Sequence, residues 1–236
     1  MVNVICMKWG TKYPASDVNR LRSMVRRHLS RPHRFICFTD ESAGIDPSVE
    51  IRPLPQVNVP PGPERCWRKL GVFDQKQTQL EGVTLFLDLD IIVLDSLDPF
   101  FEHPGDFCII RDWLRGHRSV GNSSVFRFVA DRHQNVLPAF HADTQRIAAN
   151  YRCDQDFISV SVGPVTWWPE EWCRSFKYHC MYSFPFAFFR APKRPAGTRL
   201  LIFHGFPKPE EAIAGTCRKF GLRYAKPSPW LAEHWQ

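Results

Sequence analysis

The chain has 236 residues, of which 44% are hydrophobic and 14% aromatic. This composition excludes a disordered protein and is enough for one large domain or two small ones. The net charge of +7 is compatible with nucleotides or anionic lipid headgroups and does not choose between them.

Several classes of protein are disfavoured by what the sequence lacks. No stretch approaches the roughly 18 uncharged apolar residues of a membrane span, and the N-terminus has no signal-peptide pattern. The eight cysteines include no CxxC pair, which indicates reduced thiols rather than a zinc site. No nucleic-acid-binding motif occurs. We therefore expect a cytoplasmic protein.

Strands and helices alternate in the first half of the chain. Such alternation predicts an α/β fold with a Rossmann-like, mostly parallel central sheet flanked by helices, in which ligands bind at the carboxyl ends of the strands. In chain order the pattern predicts a strand over Val2–Met7, a helix from about Asp17 to Leu29, the strands RFICFTD and VEIRPL, a helix over RCWRKLGVFDQKQTQL and a strand that ends at Asp88 and Asp90.

The second half continues the pattern without an internal repeat or a clear linker, so we predict a single domain over residues 1–236. The expected elements are the strand DFCIIRDW, the segment SVGNSSVFRFVA, a helix from about Leu137 to Asn150, the segment CDQDFISVSV, an aromatic-rich region up to Phe189 and a final strand RLLIFHG.

Asp88 and Asp90 end an apolar strand and lie on the same side of an extended chain. Two carboxylates so close must be solvated, paired or bound to a cation. One explanation is structural, with one aspartate in a turn and the other paired with an arginine. A second is a haloacid dehalogenase-type phosphohydrolase, although its motif usually comes earlier and has Thr or Val where this chain has Ile92. A third is a divalent cation shared with the diphosphate of a nucleotide sugar.

The stretch FLDLDIIVLDSLDPFF resembles the DxD segment of the glycosyltransferase A fold. The resemblance is closest to glycosyltransferase family 8, which includes glycogenin and bacterial lipopolysaccharide galactosyltransferases. Further similar motifs follow in the family's order, namely FTD at the end of the second strand, RKL before the DxD strand, GNSSVF, CDQDFIS and FHGFPKP. The resemblance implies a donor-binding half over about residues 1–100 and an acceptor and sugar half over about 101–236.

The resemblance also implies a metal centre. Asp88, Asp90 and His204 would hold Mn²⁺ or Mg²⁺ against the donor diphosphate, because mixed oxygen and imidazole ligands suit manganese. Lys208 and the backbone of Gly205 would neutralise the leaving diphosphate. Taken alone, His204 could be a structural histidine at a strand end and Lys208 a solvent-facing lysine.

The nucleotide and the sugar would be bound on either side of this centre. Tyr13 would stack on uracil, although ordinary loop packing explains it equally well. Asp40 would accept a hydrogen bond from the base or ribose, and Lys69 would face the donor.

Four further residues would contact the sugar, namely Asn122, Asp154, Gln155 and Asp156. Gln155 or Asp156 would lie near the β face of the sugar and serve catalysis with retention of configuration. Asp154 and Asp156 also suit the N-terminus of a helix.

The sequence therefore predicts a metal-dependent glycosyltransferase that moves a sugar from a UDP-sugar donor to a glycan or lipid-linked acceptor. The alternatives are a phosphohydrolase and a catalytically silent nucleotide-sugar-binding protein. The second is kept because Ser124 and Ser159 replace residues common in the family.

The segment Val165–Pro195 is unusually rich in aromatic residues, and Arg190, Lys193 and Arg194 follow them closely. Rings beside cations suit sugars or an anionic membrane surface. Packing of these rings in the core is the other explanation. We expect part of the segment to form an acceptor platform in peripheral contact with the inner face of the membrane.

Overall fold

The computed structural model describes residues 1–62, 66–115, 119–183, 185–219, 222–223 and 225–236. Most of the chain forms an α/β unit around a seven-stranded sheet of order β3-β2-β1-β4-β7-β6-β8. The strands are β1 (Val2–Lys8), β2 (His33–Thr39), β3 (Glu50–Pro53), β4 (Val83–Leu87), β5 (Ile91–Val93), β6 (Phe107–Arg111), β7 (Gly121–Val129), β8 (Thr166–Trp167), β9 (Cys173–Ser175), β10 (Leu200–Ile202), β11 (Arg218–Lys219) and β12 (Leu222–Arg223).

Helices cover both faces of this sheet. Those in the described ranges are α1 (Ala15–His28), α2 (Gln75–Thr78), α3 (Asp98–Glu102), α4 (Val136–Ala142), α5 (Thr144–Asn150), α6 (Asp154–Ser161) and α7 (Pro209–Ala214), with other helical turns of 3₁₀ or π type over Trp67–Phe73, Phe176–Cys180, Phe186–Phe188 and Pro229–Leu231. Within the described residues, none of these helices combines the length and the apolar character needed to cross a bilayer.

The sheet is mostly parallel, which confirms the predicted fold class. Strand β1 pairs in parallel with β2 and β4, β2 with β3, and β6 with β8. Only β7 runs antiparallel to its neighbours β4 and β6. The amino end of β7 therefore lies at the same edge as the carboxyl ends of β1, β4, β6 and β8.

The core lies on both faces of the sheet, and β1 shows why its strands are continuously apolar. Val4 and Cys6 pack into the cluster that includes α1, whereas Ile5 and Met7 pack into the cluster on the opposite face. Alternate residues of a strand face opposite sides. Full burial of each large apolar side chain stabilises the fold by about 1.5–3 kcal/mol.

A second, three-stranded sheet brings the late part of the chain to the DxD segment. Strand β10 pairs antiparallel with β5 and parallel with β9. Directly after β10, the backbone N–H of Phe203 donates to the carbonyl of Asp90 at 3.0 Å. His204 is therefore fixed near Asp90 by backbone pairing.

Two predicted helices are interrupted by aspartates. One helix is expected over residues 65–80, of which residue 65 lies outside the described ranges. The described part is a 3₁₀ turn, Trp67–Phe73, followed by α2, because the Asp74 side chain accepts from the backbone N–H groups of Lys76 and Gln77 and starts a new helix. The helix expected over residues 137–150 divides at Asp143, which caps α5 in the same way. A short acceptor side chain competes with the continuing helix.

Candidate active site

The predicted motifs meet at the edge where β1 and β4 end and β7 begins. They surround a cavity of about 190 Å³, which we call the donor cavity. Its lining includes Lys12, Tyr13, Cys66, Lys69, Asp88, Asp90, Ser124, His204 and Gly205.

Lys69 is the positive charge that accompanies Asp88. Its Nζ lies 2.7 Å from Oδ1 and 2.9 Å from Oδ2 of Asp88 and also donates to the carbonyl of Ser123 at 3.3 Å. Burial alone would lower the pKa of Lys69, but Asp88 and Asp154 raise it above its ordinary value. Burial raises the pKa of Asp88, and Lys69 opposes that effect. The pair joins a buried ammonium group to a carboxylate that is partly exposed to the donor cavity.

Asp90 is held by a second set of partners. Its Oδ2 accepts from the Tyr13 hydroxyl at 2.5 Å and from Lys208 Nζ at 2.8 Å. Burial and Asp90 raise the pKa of Tyr13 above its ordinary value, so Tyr13 keeps its proton and donates. The Nζ atoms of Lys12 and Lys208 each lie 4.9 Å from the centre of the Tyr13 ring. The ring predicted to stack on uracil is thus flanked by two ammonium groups.

His204 is presented to the donor cavity as a neutral imidazole. Its ring stacks on Trp113 with centroids 5.4 Å apart and lies 5.2 Å from the ring of Tyr178. Nε2 lies 2.7 Å from Ser175 Oγ. Burial lowers the pKa of His204, and the neutral form is the one that binds metals. The adjacent Gly205 has a φ of +81°, a conformation that favours glycine.

The two predicted catalytic residues lie at the first turn of α6 and are anchored by groups that the sequence did not single out. Gln155 Nε2 donates to Asp112 Oδ2 at 3.2 Å. Asp156 forms an ion pair with Arg115, with Nη1 2.8 Å from Oδ1. Neither Gln155 nor Asp156 lines the donor cavity.

Three other predicted contact residues are bonded to nearby protein groups. Asp154 is buried and accepts from Ser123 Oγ at 2.6 Å. Asn122 is buried, and its Oδ1 accepts from the backbone of Ser124 at 3.1 Å. Asp40 is exposed and accepts from the backbone N–H of Gly10 at 3.0 Å.

The structure thus divides the predicted site residues into two groups. Seven converge, because six line the donor cavity and Lys208 is bonded to one of them: Tyr13, Lys69, Asp88, Asp90, His204, Gly205 and Lys208. The other five do not line that cavity: Asp40, Asn122, Asp154, Gln155 and Asp156.

Sequence reasoning missed Lys12, Asp112, Trp113 and Ser175. Asp112 carried a usable signal, because it follows β6 just as Asp88 follows β4, and parallel strands end at a common edge. Ser175 carried none, since its contact with His204 depends on the pairing of β9 with β10.

The side chains at this edge of the sheet are of kinds that can bind a divalent cation. Asp88, Asp90 and neutral His204 line one cavity and supply oxygen and nitrogen ligands acceptable to Mn²⁺. In the part of the chain that the structure describes, however, no three His, Cys, Asp or Glu side chains are close enough together to hold an ion. Lys69 and Lys208 balance the two carboxylates instead. A cation would therefore require Lys208 to release Asp90.

No protein-family model matches the sequence, and no curated protein matches it. Solved structures do match its fold. One is the galactosyltransferase LgtC in complex with donor and acceptor sugar analogs, with a TM-score of 0.61, 14% identity and coverage of 88% of each chain. GlyE, a glycosyltransferase of Streptococcus pneumoniae TIGR4, matches with a TM-score of 0.62 and 14% identity over 89% of this chain and 56% of its own.

A third match is WbbM, a bifunctional glycosyltransferase, with a TM-score of 0.56 and 14% identity over 88% of this chain and 46% of its own. These structural matches and the mostly parallel sheet together define the class of fold. The chain has the glycosyltransferase A fold, and the fold part of the predicted resemblance is confirmed.

A pH-dependent change in stability is expected from Asp154. Burial raises the pKa of this carboxyl from 3.8 to about 6, although Lys69 opposes the shift. The folded state therefore holds the proton more tightly than the unfolded state. The stability contributed by protonated Asp154 is fully present below about pH 4 and is lost as the pH rises through about 6.

Urea denaturation of wild type and Asp154→Asn across this range measures the effect. From about pH 4 to about pH 7, the wild type should lose on the order of 2–3 kcal/mol of unfolding free energy relative to the variant. Parallel pH profiles for the two proteins would show that the Asp154 carboxyl titrates normally.

Proposed function

We propose that this chain is a metal-dependent glycosyltransferase that transfers the sugar of a UDP-sugar to a glycan or lipid-linked acceptor. The observation that carries the proposal is the convergence of Asp88, Asp90, His204 and Lys208 around one cavity at the carboxyl end of β4. Carboxylates beside an ammonium group that can change partner suit a ligand that has both a diphosphate and a cation.

The donor diphosphate would lie in the donor cavity, with Lys208 moving from Asp90 to the phosphate oxygens. The Lys208 side chain is 35% exposed, whereas that of Lys69 is 6% exposed, so Lys208 is the lysine free to change partner. Lys12 also lines this cavity. Ammonium groups placed there stabilise the charge that develops on the leaving diphosphate.

Mn²⁺ or Mg²⁺ would be held by Asp88, Asp90 and His204. When bound, it would supply further charge neutralisation for the leaving diphosphate. The role of Lys69 is to keep Asp88 ionised, and the role of Tyr13 is to orient Asp90 through its hydroxyl. Uracil would stack on the Tyr13 ring once Lys12 and Lys208 turn to the phosphates, and Asp40 would bond the base or ribose at the end of β2.

Transfer would proceed with retention of configuration, and Gln155 would face the β side of the sugar. Because the amide nitrogen of Gln155 donates to Asp112, the amide oxygen is the atom that would stabilise positive charge at the anomeric carbon. Asp156 is committed to Arg115, so we assign it the positioning of α6. Asn122 and Asp154 would lie beneath the bound sugar and shape the surface that it contacts.

A second candidate is a protein that binds a nucleotide sugar without turnover. The observation that favours it is the internal neutralisation of both aspartates by Lys69 and Lys208, which would allow binding without a cation.

A peripheral contact with an anionic membrane would place this site near a lipid-linked acceptor. Segment 176–194 carries a group of exposed residues, which we call the aromatic–basic patch: Lys177, Tyr178, Phe186, Phe189, Arg190 and Lys193. Phe186 and Phe189 are 52% and 73% exposed, and Arg190 lies 5.4 Å from the rings of Tyr182 and Phe186. The sequence has no acidic residue from 173 to 200. Exposed rings among cations, in a segment without acidic residues, suit anionic headgroups.

Turnover separates a transferase from a phosphohydrolase. Incubation with UDP-glucose or UDP-galactose and Mn²⁺ should release UDP slowly without an acceptor, because water replaces a sugar hydroxyl poorly. The same protein should not hydrolyse p-nitrophenyl phosphate. Chromatography of the nucleotides and absorbance of p-nitrophenol measure the two reactions, and the reverse pattern would favour the phosphohydrolase.

Asp90→Asn should abolish the part of UDP affinity that depends on Mn²⁺, because it removes a ligand charge without changing the side-chain shape. Isothermal titration of wild type and variant with UDP, each with and without Mn²⁺, measures this difference. Asp95→Asn, at an exposed aspartate, is the matched control and should leave the Mn²⁺ dependence intact. An unchanged Mn²⁺ dependence in Asp90→Asn would limit Asp90 to a structural role.

Reversing two charges of the aromatic–basic patch should weaken membrane binding. The double variant Arg190→Glu/Lys193→Glu should sediment less with anionic liposomes at low salt, where surface charges are least screened, and should hydrolyse the donor normally. The variant Arg132→Glu/Arg146→Glu makes the same charge change outside the patch. Equal sedimentation of both variants, or none by wild type, would contradict the membrane contact.

A further inference from the structure

A second and larger cavity lies beside the donor cavity. It has a volume of about 500 Å³, within the range of roughly 300–1,000 Å³ typical of small-molecule sites. It opens at the carboxyl ends of β6 and β8, at the same edge as the DxD segment. Its lining includes Asp112, Trp113, Trp167, Trp168, Glu170 and Arg111.

Two contacts join this cavity to the candidate active site. Asp112 accepts from Gln155 at 3.2 Å, and the Trp113 ring stacks on His204. A ligand in the second cavity would therefore lie next to the residue proposed to face the sugar and next to a proposed metal ligand. The second cavity is therefore a candidate site for the acceptor.

The lining identifies the chemistry of the ligand. Among its described residues, the charged side chains are Arg111, Asp112 and Glu170, so positive charge is not in excess as an anionic ligand would require. Indole rings present flat apolar faces, and carboxylates accept hydrogen bonds from hydroxyl groups. A neutral pyranose has both an apolar face and a rim of hydroxyls.

The three indoles differ in their freedom to contact a ligand. Trp168 is buried, and its Nε1 donates to the Val125 carbonyl. The ring of Trp113 stacks on His204, and its Nε1 donates to the Cys173 carbonyl. Trp167 is half-buried at the end of β8, with Arg111 5.9 Å from its ring centre. Trp167 is therefore the ring best placed to stack on a sugar.

We propose that the second cavity binds a neutral pyranose unit of the acceptor, stacked on Trp167 and hydrogen-bonded to the carboxylate of Glu170. Asp112 already accepts from Leu114, Arg115 and Gln155 and would shape the wall. The assignment of the cavity to an acceptor rests on the proposed transferase function. Binding of a neutral sugar there is a separate property, and it can be measured without turnover.

Saturation-transfer difference NMR tests this binding with methyl β-D-galactopyranoside, methyl β-D-glucopyranoside and maltose as probes. At least one should receive saturation from the wild type, most strongly at its ring C–H protons. Trp167→Ala should reduce the signal about fivefold or more, because it removes the flat apolar face on which the sugar would stack. Trp167→Phe should retain part of it.

The control is Trp230→Ala, which removes an indole outside both cavities and should leave the sugar signal unchanged. If Trp167→Ala does not fold, Trp167→Leu keeps apolar volume without an aromatic face and should show the same loss. UDP affinity, measured on the same samples, should be equal in the wild type and in the Trp167 variants.

The outcomes separate the two proposals. No saturation of any probe by wild type, or an undiminished signal in folded Trp167→Ala and Trp167→Leu, overturns the sugar-binding cavity and leaves the transferase proposal standing if UDP still binds. Saturation that depends on Trp167, without UDP binding by wild type, supports the cavity and overturns the transferase.

Discussion

The ion pair between buried Lys69 and partly exposed Asp88 is the constraint on which the rest of the site depends. Strand β4 ends in a carboxylate at the floor of a cavity, and burying that charge alone would be prohibitive. Lys69 compensates it and also reaches the Ser123 carbonyl of β7. Removing Asp88 would leave the buried ammonium group of Lys69 without this partner, and an uncompensated buried charge typically costs about 3–5 kcal/mol. The pair therefore fixes the 3₁₀ turn, β4 and β7 in one arrangement.

The two lysines that pair with Asp88 and Asp90 have different roles because they differ in exposure. Lys69 is enclosed and has Asp154 as a second negative neighbour, so it stays in place as part of the scaffold. Lys208 is held to Asp90 from the loop after β10 and is partly exposed. If Lys208 moved from Asp90 to a phosphate, Asp90 would become available to bind a cation. The same movement would place a positive charge beside the diphosphate.

Much of the fold could be predicted from the sequence, because strands buried on both faces are uninterrupted apolar runs and Asp88 ends the clearest one. The capping roles of Asp74 and Asp143 could not be predicted, because a single capping side chain can divide an apolar pattern that otherwise fits one helix. The hydrogen-bond partners of the site residues could not be predicted from the sequence either. Tyr13 and Lys208 meet Asp90 from 77 and 118 residues away, and the second cavity combines separate strand ends whose tryptophans suit a core equally well.

The central claim is that the donor cavity, at Asp88 and Asp90, binds a nucleotide diphosphate. A thermal-shift comparison of wild-type protein tests it most directly. Melting temperatures would be measured with UDP, GDP, ADP and UDP-sugars, each with and without Mn²⁺. A ligand that binds only the folded state raises the melting temperature by mass action. UDP and its sugars should raise it, and more so with Mn²⁺. No rise with any of these nucleotides, with or without Mn²⁺, would contradict the account.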